Sequence, residues 1–421
     1  MPAAIVHYHL RRGGVTRVIE AQSRVLHERG IAHVILSGTP YEGPGDLPVT
    51  VLPELDYRPT RGSGSGGDLA ATMRDTAARV LGEAPSIWHI HNPSLGKNVL
   101  WPAMLRSFVE AGERMVWQHH DFAEDGRPGN YEMFFEEPAL YPVAPQIRHA
   151  FINSRDRRLL IQAGIPAGNT AFLPNAVTAP EESARTASVP PGPPRVLYPV
   201  RGIRRKNLGE LCLLAALAPA ETRFALTLAP ENRQWLPVYH RWEAFAAQNE
   251  LPLDLGVVDR VPPAPGVDPT YANWIAHSSH LLTTSVAEGF GLAFLEPIAM
   301  GKPLFGRDLP EITADFRNDG LHLGDLYEHL LVPAAWVDLD ALRQQLAHDL
   351  RETYRSYGRE LPPAVIEAAF AALFHGDRLD FGNLPEALQE ATARRAAADP
   401  AAVTASGPDG PAPAPAWLRA A

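Results

Sequence analysis

Cysteine is almost absent from the chain, since Cys212 is the only one among 421 residues. A disulfide within the chain is therefore impossible, which fits a reducing compartment and predicts a cytoplasmic protein. Cys212 itself stands in the apolar run LCLLAALAPA, a pattern typical of a buried helix.

Long hydrophobic runs are absent as well. No window approaches about 18 consecutive apolar residues, so no transmembrane helix is expected. The N-terminal stretch MPAAIVHYHLRRGG has a short apolar run that its arginines follow rather than precede, which is unlike a secretory signal peptide.

Positive charge is scarce relative to negative charge. The chain has 38 Lys and Arg against 48 Asp and Glu, a net charge of −10. A general nucleic-acid binder needs a basic face toward the phosphate backbone, so nucleic acid is not an expected partner. One local basic pocket remains compatible with this balance.

Several motifs of common chemistries are missing. The sequence has no H-E-x-x-H and no C-x-x-C, so a tight zinc site is not expected. It has no P-loop motif and no G-x-S-x-G nucleophile elbow. The DLD triplet at 338–340 resembles a metal–diphosphate D-x-D motif, but Asp340 is placed to cap the helix that follows.

Short apolar runs alternate with helical patterns in both halves of the chain. Strands separated by helices indicate βαβ units, so we predict an α/β fold class with parallel sheets. The runs that predict strands are AAIVHYHL, AHVILSG, VTVLPEL, SIWHIHN, RMVWQHHD, HAFINS and TAFLPNAV in the first half, and RVLYPV, RFALTLA, LDLGVVD and HLLTTS in the second.

The length and the change in composition after residue 177 predict two domains. TAPEESARTASVPPGPP has many turn residues and few apolar ones, which is typical of a linker. The predicted organisation is a first α/β domain at 1–180, a linker at 181–194, a second α/β domain at 195–375, a helix at 376–398 that packs back on the first domain, and a low-complexity, disordered tail at 399–421.

A basic cluster, RGIRRKN, follows the first predicted strand of the second domain. Ligands of open α/β sheets bind at the carboxyl ends of the strands, which is where this cluster lies. Arg201 and Lys206 are candidates to hold a diphosphate, the first through paired N–H groups and the second as a point charge. The alternative is a solvated run of charge.

The segment EGFGLAFLE at 288–296 follows the strand HLLTTS. Gly289 and Gly291 would let the chain turn sharply and expose amides at the start of a helix, where they can hold a phosphate or a sugar hydroxyl. Glu296 falls inside the helix and is suited to accept two vicinal hydroxyls of a ribose, while Glu288 lies on the loop. The alternative, that both glutamates only complement the helix dipole, explains Glu288 better than Glu296.

Two further segments stand at predicted strand ends of the first domain. Gly13 and Gly14 lie between the first strand and the first helix, where they either let a ligand approach the backbone or form a tight turn. WQHHDFAED places His119, His120 and Asp121 at a carboxyl end, as candidates for acid–base work, metal binding or hydrogen bonding to substrate.

Four features together resemble the retaining glycosyltransferases of family 4, which have the GT-B fold: two Rossmann-like domains, GGVTR near the start, R-x4-K after the first strand of the second domain, and E-x7-E in EGFGLAFLE. The resemblance covers most of residues 1–330. It implies a nucleotide-diphosphate sugar donor, bound in a cleft between the two domains and mainly by the second. It also implies no cofactor, and chemistry that requires no metal because the basic pair neutralises the diphosphate.

The resemblance implies roles for individual residues. Catalytic roles fall on His120, Arg201, Lys206 and Glu288, with the histidine contacting the sugar near the reacting carbon. Donor binding is assigned to Gly13, Gly14, Arg201, Lys206, Glu288, Gly289, Phe290, Gly291, Leu292 and Glu296, with Glu296 on the ribose. By family frequency, UDP-glucose is the first expected donor and GDP-mannose the second.

The acceptor side departs most from the family pattern. HNPSLGKNVLWP and HHDFAEDGRPGNYEMF carry polar and aromatic side chains that suit a small polar acceptor. The two cations among them indicate an acidic acceptor, such as a carboxylate or a phosphate. The candidates are Lys97, Asn98, Asp121, Arg127 and Tyr131. Alternatives on the same fold are a phosphorylase, an epimerase, or a non-catalytic protein that binds nucleotide sugars.

Overall fold

The computed structural model describes residues 1–43, 45–60, 63–134, 141–177, 194–407 and 410–420. The chain forms two compact units, Met1–Ala176 and Val177–Ala421. The predicted linker at 181–194 lies outside the described residues, except for Pro194.

The first unit is built on one sheet with helices in the connections. Its strands are β1 (Ala3–His7), β2 (His33–Ser37), β3 (Val49–Val51), β4 (Ile87–His91), β5 (Met115–His119), β6 (Ile147–Phe151) and β7 (Thr170–Phe172). Its helices are α1 (Gly14–Glu28), α2 (Gly66–Leu81), α3 (Trp101–Glu110), α4 (Pro128–Tyr131) and α5 (Ser154–Gln162).

All seven strands of this sheet pair in parallel, in the order β3-β2-β1-β4-β5-β6-β7. The order reverses between β1 and β4, which makes their carboxyl ends the topological switch point where such sheets bind ligands. Every residue of β1 is buried because both faces of the sheet are covered. Val6 joins a core with Trp88 and Trp101, whereas Ile5 joins a second core with Ile19 of α1.

The second unit repeats this plan. The strands of its main sheet are β8 (Arg195–Arg201), β9 (Arg223–Leu228), β10 (Leu253–Leu255), β11 (His280–Thr283), β12 (Leu304–Arg307) and β13 (Asp325–Tyr327). Its helices are α6 (Leu208–Leu217), α7 (Leu236–Gln248), α8 (Tyr271–His277), α9 (Leu292–Ala299), α10 (Pro310–Asn318), α11 (Leu339–Ser356), α12 (Ala364–Ala371), α13 (Glu386–Ala398) and α14 (Ala414–Ala420).

The main sheet of the second unit is also parallel, in the order β10-β9-β8-β11-β12-β13. Its switch point lies between β8 and β11. Helix α6 has the sequence LGELCLLAAL, which is apolar on all sides and therefore packs inside the unit, with Cys212 fully buried. The predicted α/β class with two Rossmann-like sheets is confirmed.

The described residues of 399–420 form strands and helices, so the prediction of a disordered tail is wrong for them. An antiparallel sheet in the order β15-β16-β14-β17-β18 contains β17 (Thr404–Gly407) and β18 (Gly410–Pro413) from the tail. The remaining strands are β14 (His329–Pro333), β15 (Phe374–His375) and β16 (Arg378–Asp380). Val403, Ala405 and Ala414 are buried, because small apolar side chains pack closely even in a segment of low sequence complexity. The prolines of β18 fit an edge strand, which needs fewer N–H donors.

The helix predicted at 376–398 also differs from expectation. Residues 378–380 form β16, and the helix α13 begins at Glu386. It packs against α6 of the second unit, with Ala393 and Ala396 buried in the core of that unit, and packing on the first unit stays a prediction. No helix within the described residues is long and apolar enough to cross a membrane.

Candidate functional site

The turn after β8 carries Lys206 to the switch point of the second unit. Its ammonium pairs with Oε1 of Glu288, which lies on the loop after the neighbouring strand β11, and both side chains are 10% exposed. Burial lowers the pKa of Lys206, and the nearby carboxylates of Glu288 and Glu296 partly offset that shift. Both glutamates of the E-x7-E segment therefore act electrostatically on the same ammonium.

Three contacts hold the loops of Lys206 and Glu288 together. The hydroxyl of Thr284 donates to the carbonyl oxygens of Lys206 and Asn207, at 2.9 and 3.2 Å. The amide of Val286 donates to the carbonyl of Arg205 at 2.9 Å. The two loops thus form one framework at the carboxyl ends of β8 and β11, which fixes where Lys206 lies.

A buried polar network packs against the turn that carries Lys206 and stabilises it. Asn207 adopts the left-handed conformation, with φ 50°, and its amide donates to Glu210 at 2.9 Å. Glu210 is fully buried and receives two hydrogen bonds from Arg307, at 2.8 and 2.6 Å. Arg307 makes a second pair of contacts with Asp380, both at 2.8 Å. The turn that carries Lys206 is therefore anchored to β12 and β16.

The charges of this network compensate one another. Burial raises the pKa of Glu210, and Arg307 opposes that rise. Burial would also raise the pKa of Asp380, but Arg307 and His329 outweigh it and hold that pKa below its usual range. The hydroxyl of Tyr327 donates to Glu210 at 2.5 Å. Buried charges are stable only with such partners, so the loss of one charged residue of the network would leave another buried charge without compensation.

Arg201 ends β8 and is more exposed than Lys206, with 43% of its side chain accessible. Its guanidinium lies 2.7 Å from Oε1 of Glu231, in the segment LAPENRQW, rather than on Glu288. Sequence reasoning missed Glu231. A ligand that binds both Arg201 and Lys206 would have to compete with two carboxylates.

The start of α9 needs glycine for a steric reason. Gly291 has φ 93° and forms the N-cap, and a Cβ there would lie 2.8 Å from Cγ2 of Ile312. Phe290 is buried and packs edge-on against Phe316 at 5.5 Å. Gly289 and Leu292 are partly buried on either side of this turn. The first amides of α9 therefore come just after Glu288 in the sequence, as expected for an anion or hydroxyl site.

In the first unit, His120 lies just after β5 and is 8% exposed. Its Nε2 is 2.9 Å from Nδ1 of His91, and its backbone amide donates to Oδ1 of Asn92 at 2.8 Å. Burial lowers the pKa of His120 to about 3, with further contributions from His7 and His89. His120 is therefore a neutral imidazole, suited to hydrogen bonding rather than to carrying charge.

Gly13 and Gly14 are exposed at the start of α1. Gly13 is extended, and a Cβ at Gly14 would meet nothing within 4 Å. No packing contact or unusual backbone angle requires glycine at these two positions, so their roles in donor binding stay predictions.

The proposed acceptor residues divide into two groups. Asn98 is buried, and its amide donates to the carbonyls of Glu54 and Asp56 at 2.8 and 2.7 Å. Its Oδ1 accepts from the amide of Leu100 at 2.8 Å, so Asn98 holds the loop and is not placed to contact an acceptor. Lys97, Asp121, Arg127 and Tyr131 are half-buried, with the carboxylate of Asp121 2.7 Å from Nη2 of Arg127.

The structure gives no support for metal binding by the DLD triplet at 338–340. The carboxylate of Asp338 accepts a hydrogen bond from the amide of Ala341 at 3.0 Å and caps α11, whereas Asp340 lies in the first turn. Across the described ranges, no group of three or more His, Cys, Asp or Glu side chains is placed to hold a metal ion.

No family model matches the chain. It is 25% identical over 417 residues to mannosylglucosyl-3-phosphoglycerate synthase from Petrotoga mobilis, covering 92% of this chain and 79% of that protein. Sucrose-phosphate synthase from Thermosynechococcus elongatus superposes with a TM-score of 0.54 at 16% identity, over 77% of this chain and 85% of that one.

A third comparison is with HepE from Anabaena in complex with UDP. It gives a TM-score of 0.50 at 15% identity, over 73% of this chain and 81% of that chain. The chain has the GT-B fold. The resemblance to GT-B glycosyltransferases that the sequence motifs indicated is confirmed, and Gly13, Lys206 and Glu288 follow strands that flank the switch points of the two sheets.

Proposed function

We propose that this GT-B chain is a retaining hexosyltransferase that moves a hexose from a nucleotide-diphosphate sugar to a small acidic acceptor. The likeness to a mannosylglucosyl-3-phosphoglycerate synthase, over 92% of this chain and 79% of that protein, and the fold both support transfer from a nucleotide sugar. UDP-glucose is the first donor proposed, and UDP in the HepE structure favours uridine as the base. GDP-mannose is the second.

The buried pair of Lys206 and Glu288 carries this proposal. A lysine whose pKa is lowered by burial, held at the switch point by one carboxylate, is poised to exchange that carboxylate for a diphosphate. Its ammonium would neutralise the charge that develops on the leaving diphosphate, a form of electrostatic stabilisation that commonly dominates catalysis. Arg201 would add a bidentate contact after release from Glu231.

The remaining residues would position the sugar. Glu288, freed from Lys206, would accept hydroxyls of the transferred hexose, together with amides from Gly289 to Leu292. Glu296 would accept the ribose hydroxyls. His120, neutral at ordinary pH, would hydrogen-bond the hexose near the reacting carbon.

The reaction would proceed on one face of the sugar. The bond from the anomeric carbon to the diphosphate oxygen breaks, and that oxygen accepts the proton of the acceptor hydroxyl as the new glycosidic bond forms. No protein nucleophile and no metal is needed for these steps. The protein's contribution is to bind, orient and neutralise charge.

The acidic acceptor is supported by two independent observations. Lys97 and Arg127 lie on loops at the carboxyl edge of the first sheet. The Petrotoga relative is named for a product that contains a phosphoglycerate. We therefore propose a phosphorylated glycerate or a glycoside of it as the acceptor class.

Mass spectrometry of products from a donor and acceptor panel tests this function. The panel crosses UDP- and GDP-hexoses with 3-phosphoglycerate, its glucoside and uncharged sugars, each with and without EDTA. We expect transfer to a phosphorylated acceptor, unaffected by EDTA, with the donor's anomeric configuration kept in the proton NMR spectrum of the product. Release of free hexose without transfer would favour a non-catalytic binder. Stabilisation by phosphate plus a disaccharide, with none by any nucleoside diphosphate, would favour a phosphorylase.

A further inference from the structure

A second group of charged residues lies at the carboxyl edge of the sheet in the first unit, around the ring of Tyr57. The guanidinium carbon of Arg11 is 5.9 Å from the centroid of this ring, and Nζ of Lys97 is 5.4 Å from it. Arg127 acts electrostatically on both Tyr57 and Lys97. These four residues, called the Tyr57 cluster below, come from loops after β1, β3, β4 and β5.

The aromatic ring orders the cluster. Tyr57 is 43% exposed, and its ring also packs edge-on against Tyr8 and His9, with centroids at 5.5 and 4.8 Å. Cations within about 6 Å of an aromatic ring are attracted to its face, so the ring draws Arg11 and Lys97 to the same part of the surface. Their positive charge is thereby concentrated at one place on the surface of a chain whose net charge is −10.

Carboxylates pair with two of the three cations. Nη2 of Arg11 contacts Asp56, and Nη2 of Arg127 lies 2.7 Å from Asp121. Asp125 is farther away, at 4.0 Å from Nη1 of Arg127, and is 80% exposed. Nη1 of Arg127 also donates to the carbonyls of Phe122 and Asp125, at 2.9 and 3.2 Å, so several contacts fix the plane of this guanidinium.

Lys97 differs from the two arginines. Within the described residues it has no carboxylate in ion-pair contact, and its ammonium lies over the Tyr57 ring. Burial lowers the pKa of Lys97, and the charge of Arg127 lowers it further, with partial compensation from Asp121. An anion beside this ammonium would stabilise its charged form and so oppose both the burial and the repulsion from Arg127.

We propose that the Tyr57 cluster binds the phosphate monoester of the acceptor, with Lys97 as its central contact and Arg11 and Arg127 at its sides. A dianionic phosphate suits three cations better than a single carboxylate does, because it offers three oxygens to donors from different directions. Arg11 and Tyr57 thereby become specificity residues, in addition to Lys97 and Arg127. This inference rests on the proposed transfer to an acidic acceptor and extends it to the group that is recognised.

Matched acceptors test the cluster. 3-Phosphoglycerate and glycerate differ only in the phosphate, and the ratio of their kcat/KM values measures its recognition. Lys97→Met keeps the length and apolar stem of the side chain, and Arg11→Met does the same. Arg79→Met, on the exposed face of α2, is the control.

We expect Lys97→Met to raise the KM for the phosphorylated acceptor about tenfold or more while kcat and the donor KM stay near the parent values. Arg11→Met should have a smaller effect in the same direction, and Arg79→Met none. Tyr57→Phe should preserve recognition of the phosphate and Tyr57→Ala should weaken it, because the ring rather than the hydroxyl holds the cations. An unchanged preference for the phosphorylated acceptor in Lys97→Met would overturn the inference, as would an equal loss with glycerate.

Calorimetry separates this inference from the proposed function. Titration of 3-phosphoglycerate into the full chain requires no donor and no turnover. Binding that is lost in Lys97→Met but kept in Arg79→Met would support the cluster even if no donor in the panel is used. Transfer to an acceptor without a phosphate, with no binding of 3-phosphoglycerate, would uphold the transferase and reject the cluster.

Discussion

Nε2 of Gln389 donates a 2.9 Å hydrogen bond to Oδ1 of Asn207, the residue that directly follows Lys206. The same nitrogen donates to the carbonyl of Phe381 at 3.0 Å. Helix α13 is thereby tied to the turn that presents the candidate catalytic lysine. The contact joins residues 182 positions apart, so a C-terminal element shapes a site that the motifs place much earlier in the chain.

Gln389→Leu should loosen this turn. The substitution keeps the volume of the side chain but leaves Oδ1 of Asn207 without its donor inside the protein, at a cost of about 1–3 kcal/mol in the free energy of unfolding. We also expect kcat to fall more than the donor KM rises, because Lys206 would be less well placed. Urea denaturation and steady-state kinetics measure the two effects. Gln248→Leu, at an exposed position of α7, is the matched control, and equal behaviour of the two variants would contradict the prediction.

Arg307→Met should destabilise the second unit strongly. Its removal leaves the buried carboxylates of Glu210 and Asp380 without compensation, and breaking a buried ion pair in this way costs about 3–5 kcal/mol. Denaturant unfolding measures the loss. Combining Arg307→Met with Glu210→Gln should recover part of the stability, since one uncompensated charge is removed. If the double variant is less stable than the sum of the single changes predicts, the network does not act through charge.

Lys206→Met should reduce transfer at least about a hundredfold, because electrostatic stabilisation of the leaving diphosphate is lost. Glu288, whose side chain is 10% exposed, would then lack its partner, so the double variant with Glu288→Gln serves to keep the fold intact. Circular dichroism and the melting temperature report on folding, and kcat/KM reports on transfer. Arg204→Met, 59% exposed in the same turn, is the control. An unchanged kcat/KM in Lys206→Met would remove the lysine from the mechanism.

Glu296→Gln should weaken the binding of a nucleoside diphosphate through its ribose. Calorimetry with UDP and with 2′,3′-dideoxy-UDP isolates the contact. The parent protein should bind UDP more tightly than the dideoxy compound, and the variant should bind the two almost equally. A variant that still prefers UDP by the parental factor would show that Glu296 does not contact the hydroxyls.

The first unit should lose stability as the pH falls below about 6.5. Burial lowers the pKa of His7 and of His89 to about 4, and that of His120 to about 3. Their unfolded pKa is near 6.5, so between these values the unfolded chain binds protons that the folded chain does not. Stability is therefore complete above about pH 6.5 and falls by about 1.4 kcal/mol per histidine at about pH 5.5.

Urea denaturation across this range measures the slope, and His89→Gln, which keeps a donor toward Gln118, should flatten it. A pH-independent unfolding energy would mean that these histidines are not protonated on unfolding as expected. The shift should appear in unfolding transitions of the first unit rather than of the second.

The sequence predicted the sheets well because parallel strands are buried on both faces. AAIVH is a continuous apolar run, and RVLYPVR has a buried apolar centre, so the local sequence is enough to indicate that both are strands. Motif spacing also placed Lys206, Glu288 and Glu296 together, since residues at carboxyl ends of adjacent parallel strands meet at one edge.

The elements that were missed depend on long-range pairing. Thr404–Gly407 is short and poor in β-branched residues, and it forms a strand because β14 offers it an edge. Arg11, Tyr57 and Glu231 are ordinary surface residues in sequence, and only the folded loops bring them to charged partners. Asn98 was misjudged for the same reason, because its amide is engaged by carbonyls more than 40 residues away.

The position of β17, β18 and α14 has a consequence for synthesis of the chain. Val403, Ala405 and Ala414 complete a core that Val196 and Leu211 begin about 200 residues earlier. The sheet of the first unit can therefore form once residues 1–176 have been synthesised, whereas the core of the second unit cannot close until residues 403–414 have been made. Until then the edge of β14 that receives β17 stays uncovered, so the nascent second unit passes through an interval in which a chaperone, or another nascent copy, can occupy that edge.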